Sequence, residues 1–250
     1  MKKHLLIFTA IAALFACCKT KDLAMTFDIP EKGFEVVQHL PKESPDRKNN
    51  TLYQAPREIT KKEMTSPAMQ LFIDSLYAVM VRTDGVGIAS NQIGKRLQIF
   101  IIEALNDNPR YNVLGNVTKQ IFINPRITAV SEERMNFWHG CLSAVGEDRG
   151  NVATYKWIDY ECYNEKGEFV KGRLDGFAAV IFQHEFRHML NGTYLDHAHH
   201  FLNRMELEFK ILSGEVPFFS AASDTLPLLI EGYQVGETLE EYHRRLVRVK

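Results

Sequence analysis

No charge of one sign predominates in this chain of 250 residues: 30 lysines and arginines stand against 31 aspartates and glutamates. The basic residues are scattered, and nothing in their placement marks a nucleic-acid partner. Internal repeats and low-complexity tracts are lacking too, which sets aside solenoid and fibrous architectures. The apolar run at 5–15 is too short to span a bilayer. Cysteine is scarce, with only four. What is there is an apolar content of 45%, enough for a substantial core, in a length that suits one globular domain with extensions.

The cysteines fall in two places. Met1-Lys2-Lys3 followed by the apolar run has the layout of a signal peptide, and Leu14-Phe15-Ala16-Cys17 resembles a bacterial lipobox. Cys18 is a poorer acceptor, because Cys17 rather than a small residue precedes it. The pattern predicts a signal peptide over 1–16, a lipid on Cys17 and a membrane-anchored chain in the bacterial cell envelope, as a periplasmic or outer-membrane lipoprotein. Residues 17–50, charged and weakly periodic, read as a tether into a domain at 51–200, with a C-terminal helical extension over 201–250. In an exported chain the other two, Cys141 and Cys162, invite a disulfide.

Elsewhere, 63–82 reads as a helix starting near Ser66-Pro67. Strands are expected at 96–103 and 120–130, the second interrupted at Asn124-Pro125. A pair at 152–163 and 168–174 is joined by a turn at 164–167. Further helices fit 203–212 and 239–247. The glycine-rich stretch from Asp84 to Gly94 matches neither the dinucleotide nor the P-loop spacing, and Gln92 replaces any lysine, so phosphate binding is rejected. His197, His199 and His200 read as a solvated loop.

The chemistry gathers at Gln183-His184-Glu185-Phe186-Arg187-His188. On a helix, His184 and His188 lie one turn apart and can grip one metal ion, with Glu185 beside the ion's open position as general base. Asp175 is a candidate cap, and Gly192 can close the C-terminus. A third ligand is needed. The metzincin pattern fails at Asn191 and Tyr194, where it requires glycine and histidine. The thermolysin-like pattern would use Glu208, which lacks the flanking residues. A cysteine upstream is the third possibility.

Three stretches in order carry that last reading: Gly85-Val86-Gly87-Ile88-Ala89-Ser90-Asn91-Gln92, Gly140-Cys141-Leu142-Ser143, and the histidine hexapeptide. Together they resemble the three motifs of peptide deformylases. The resemblance implies an α+β fold, with short antiparallel strands packed around a central HExxH helix. It implies Cys141, His184 and His188 as ligands of one divalent ion, Fe²⁺ or Zn²⁺ with Ni²⁺ as a further substitute. Glu185 would be the general base, Gln92 and the Leu142 N–H the oxyanion donors, and Gly87, Ile88 and Gly140 the substrate contacts. The activity implied is metal-dependent hydrolysis of N-formylmethionyl peptides with release of formate, by a monomer. With Cys141 as a ligand, Cys162 becomes a buried core thiol.

The chain departs from the family's pattern at four positions. Ser90 replaces an alanine, His139 the glutamate before Gly-Cys-Leu-Ser, Thr154 a strand arginine, and Arg187 the aspartate before the second histidine. The last three imply a charge network around the ligands rebuilt with the opposite sign, and a shifted substrate preference. An oxidising compartment would favour Zn²⁺ over Fe²⁺. The alternative function is a catalytically weak relative that binds formylated or other N-acyl peptides in the envelope, and the retained Glu185 argues for the enzyme.

Overall fold

The computed structural model describes residues 26–108 and 111–248. The expected signal peptide and Cys17 lie outside them. In chain order the elements are α1 (Lys61–Met64), α2 (Pro67–Arg82), β1 (Gly87–Ala89), β2 (Ile99–Ala104), β3 (Val117–Val130), β4 (Arg134–His139) and β5 (Arg149–Tyr155). There follow β6 (Trp157–Tyr163), β7 (Phe169–Asp175), α3 (Gly176–Met189), β8 (His200–Leu202), α4 (Arg204–Leu212), β9 (Phe219–Ala221) and α5 (Leu239–Arg248). The strands form two antiparallel sheets, β1-β2-β3-β6-β7 and β8-β5-β4-β9. No helix among the described residues is long and apolar enough to cross a membrane.

The first sheet is covered on both faces at β1 and β2, which is why β2 is apolar at almost every position. Ile99 and Ile101 pack with Phe72, Leu76 and Met80 of α2 on one side. Phe100 and Ile102 pack with Phe182 and Phe186 of α3 on the other. The rings of Phe100, Phe122 and Phe182 meet at 4.9–5.1 Å. Helix α3 is therefore enclosed, and from Ala179 to Met189 every residue is buried.

Several boundaries differ from expectation. The first helix is two, because Pro67 cannot donate and Ser66 caps the break: its Oγ donates to Glu63 O at 2.7 Å and accepts from Met69 N at 3.2 Å. Strand β3 runs through Asn124-Pro125 without interruption. Asn124 adopts φ +51°, the register shifts there, and its side chain exchanges hydrogen bonds with Ile59 N and O at 2.9 and 2.8 Å. The stretch 152–163 is two strands in different sheets. Cys141 and Cys162 are free thiols, so the disulfide is not formed.

The segment expected to be a tether packs on the domain from its first described residues. Phe27 stacks on Phe72 at 4.3 Å and Phe34 is buried. Val37 N donates to Gln92 O at 2.7 Å and His39 N to Ser143 O at 2.6 Å. The residues after 200 are also integrated: β8 and β9 flank the second sheet, and Leu239 and Tyr242 of α5 join the main core.

Candidate active site

Helix α3 begins at Asp175, as the sequence suggests, although the Asp175 side chain makes no capping bond. Asn191, at φ +64°, ends it instead of Gly192. Gly192 has another use, because a Cβ there would strike the Arg187 guanidinium. Gln183 anchors the helix to β5 by exchanging hydrogen bonds with Tyr155 N and O at 2.9 and 2.8 Å. Asn91 Nδ2 donates to His188 O at 2.8 Å, tying the first motif to the last.

These anchors bring Cys141, His184 and His188 together, with one donor atom of each within 4.8 Å of the others. Cys141 Sγ lies 3.3 Å from His188 Nε2. A tetrahedral ion with bonds of about 2.0–2.3 Å spaces its ligand atoms by roughly 3.3–3.7 Å, so that separation suits one. Sulfur and two imidazoles form a donor set that leaves a fourth position open. The thiol and imidazoles thus fit a divalent ion.

Electrostatics agree with that fit. Burial, with the charge of Arg149, holds His184 down to about 4; burial and the neighbouring imidazole of His184 hold His188 well below the usual histidine value. Both rings are neutral and offer lone pairs. Burial and the Glu185 carboxylate push the Cys141 thiol up to about 12, against the Ser143 N–H and Arg149, which lower it. A cation is what would draw off that proton. Burial also keeps the Glu185 carboxyl well above its ordinary value, and its Oε2 is buried with no hydrogen-bond partner.

Gln92 is oriented by Ala89 N, which donates to its Oε1 at 2.8 Å. Its Nε2 thereby faces Ser143 Oγ at 3.2 Å and Cys141 Sγ at 3.5 Å. The Leu142 N–H makes no hydrogen bond among the described residues. Gly87 leaves room for Glu185, whose carboxylate a Cβ would strike, and Gly140 does the same for the Arg149 guanidinium. The Ile88 side chain is fully buried among the α2 residues. Only its backbone, on the edge strand β1, can therefore meet a ligand.

The departures resolve into partners. His139 Nδ1 lies 3.1 Å from His184 Nδ1. Arg187 finds Asp196 at 3.5 Å, and Asp196 also binds Arg47 at 2.9 Å and accepts from Thr193 N at 2.9 Å. The carboxylate is thus supplied from the 3-10 turn Tyr194–Asp196, eight residues past His188. Thr154 is buried and bonds weakly to Met135 O at 3.4 Å, without joining this network. Reasoning from sequence missed Arg149, Tyr194 and Asp196. Arg149 is half-buried over Gly140 with no ion pair among the described residues, and the Tyr194 ring stacks loosely on His184, tilted by 29° with centroids 6.2 Å apart.

An HExxH helix enclosed between two antiparallel sheets and facing a cysteine loop is the construction of a hydrolase. The profile of the polypeptide deformylase family matches residues 45–204. A peptide deformylase of Leptospira biflexa is 34% identical over 152 residues, covering 59% of this chain and 82% of the relative. Peptide deformylase 2 of Nostoc is 37% identical over 140 residues, covering 56% and 77%. Among solved structures, a class I type b peptide deformylase from Acinetobacter baumannii with bound Met-Ala-Ser superposes with TM-score 0.58 at 25% identity, covering 69% of this chain and 99% of its own. The Thermotoga maritima peptide deformylase gives 0.53 at 26%, covering 66% and 96%. The chain belongs to the peptide deformylase family and is an enzyme of that type.

Proposed function

We propose that this enzyme hydrolyses N-formylmethionyl peptides to formate and a free amino terminus, using one divalent ion held by Cys141, His184 and His188. The observation that carries the reading is the unpartnered, buried Glu185 carboxyl beside that donor set. Zn²⁺ is the ion preferred here over Fe²⁺ or Ni²⁺, because it withstands an oxidising compartment. When bound, the ion supplies Lewis acidity toward the formyl carbonyl and acidifies water. Glu185 takes the proton of the attacking water and passes it to the leaving amine. Gln92 Nε2 and the Leu142 N–H donate to the carbonyl oxygen as charge develops on it. The free edge of β1 at Gly87 and Ile88, with Gly140 opposite, receives the peptide backbone.

Formate release from formyl-Met-Ala-Ser, with Glu185→Gln as control and metal analysis of protein from its native host, tests the reading. Peptide binding with no formate above the control would sink it. We further propose a signal peptide over 1–16, a lipid on Cys17 and a monomer in the cell envelope. Retained palmitate labelling in a Cys17→Ser variant would refute that anchor.

A further inference from the structure

A cavity of about 550 Å³ opens beside this centre, within the size range of ligand sites. On its inner side stand Trp138, next to His139, and Arg149, whose guanidinium covers Gly140. Its outer wall is Leu207 and Ile211 of α4, with Val113 and Phe218 beside them. Past Arg204 this helix lies beyond the residues that the family profile matches. It is nevertheless firmly placed. Asn203 Oδ1 accepts from Met205 N at 2.9 Å, and the preceding strand β8 pairs with the part of β5 that carries Arg149, with Leu202 opposite that residue. Leu207 is buried and Ile211 half-buried, whereas Met205 and Phe209 on the other side are 78% and 70% exposed.

We propose that Leu207 and Ile211, with Trp138, Val113 and Phe218, form a subsite for a large apolar side chain in the two residues after the formylated one. The inference rests on the deformylase reading for where the formyl group lies. From that point an extended peptide advances about 3.3–3.6 Å per residue. Its next residues leave the Cys141 loop along Gly140 and Arg149 and pass under α4. The substrate class is then short formyl peptides with downstream apolar residues, and helix α4 selects them.

The test compares kcat/KM for formyl-Met-Leu-Phe and formyl-Met-Ala-Ser, alongside equilibrium binding of the deformylated peptides Met-Leu-Phe and Met-Ala-Ser. The wild type is expected to favour the apolar peptide by about tenfold or more, the order that one buried large side chain gives. Ile211→Ser, which removes the contact, and Ile211→Trp, which fills the cavity, should both bring the ratio to within about threefold of unity on the same scale. Phe209→Ser on the opposite face should keep it. An indifferent wild type, a ratio that survives both Ile211 variants, or one lost equally in Phe209→Ser would overturn the proposal. Binding that shows the selectivity while neither peptide yields formate would sustain the subsite and defeat the deformylase reading instead.

Discussion

His139 and His184 meet nitrogen to nitrogen, Nδ1 to Nδ1 at 3.1 Å. If His184 gives Nε2 to an ion, its Nδ1–H donates to His139, which must be the tautomer protonated at Nε2. That Nε2 is buried without a partner. An imidazole so placed orients its neighbour without adding negative charge, unlike the glutamate that the family pattern has there. His139→Ala should weaken metal affinity by about 10–100-fold, the usual effect of losing such a partner. Chelator competition measures it, and unchanged affinity would remove His139 from the account.

Gln92 offers a cleaner separation of roles. Gln92→Glu keeps the oxygen that accepts from Ala89 N and loses the amide donor facing Cys141. Removing one donor to a developing oxyanion lowers kcat by about 10²–10³-fold. Steady-state kinetics should show that loss in kcat with little change in thermal stability. A variant that unfolds at lower temperature yet turns over normally would contradict the role.

Asp196 carries an acid-sensitive contribution to stability. Burial alone would raise its carboxyl, but the Thr193 N–H and the guanidiniums of Arg187 and Arg47 outweigh burial and hold it below the ordinary value. A carboxyl depressed on folding stabilises above its unfolded pKa of about 3.9, and that contribution is lost as pH falls through the folded value. Asp196→Asn should cost about 1–3 kcal/mol at neutral pH, from donors left unpaired. Melting curves should show the gap to wild type full at pH 6 and shrinking below pH 4. A gap constant down to pH 3 would count against the network.

Metal-free protein should protect its own ligand. With Cys141 at about 12 against an ordinary thiol near 8.5, its thiolate population is lower by roughly 10³-fold. Iodoacetamide at pH 8 should therefore label it far more slowly than a free cysteine, followed by peptide mass spectrometry. Rapid labelling would mean that the thiolate exists before any cation arrives.

The histidine helix was legible because ligand spacing, apolar face and boundaries coincide within fourteen residues. Cys141 followed from motif order. What stayed hidden depends on chain segments meeting across the fold. Asp196 has no sequence signature that links it to Arg187 or Arg47, and Arg149, which opens β5, follows a polar stretch that resembles any other. The proline in β3 misled because the remedy, an Asn124 side chain standing in for backbone against Ile59, is a tertiary contact. Residues 26–50 misled in the opposite sense: charge and weak periodicity suggested free chain, yet individual backbone bonds to Gln92 and Ser143 hold the segment down.

That packed segment limits distance. Cys17 and Phe27 are ten positions apart, which spans about 35 Å at full extension. A lipid on Cys17 would therefore confine the catalytic cleft to a shell a few nanometres deep above its membrane, where surface concentration rather than bulk concentration governs which peptides it meets.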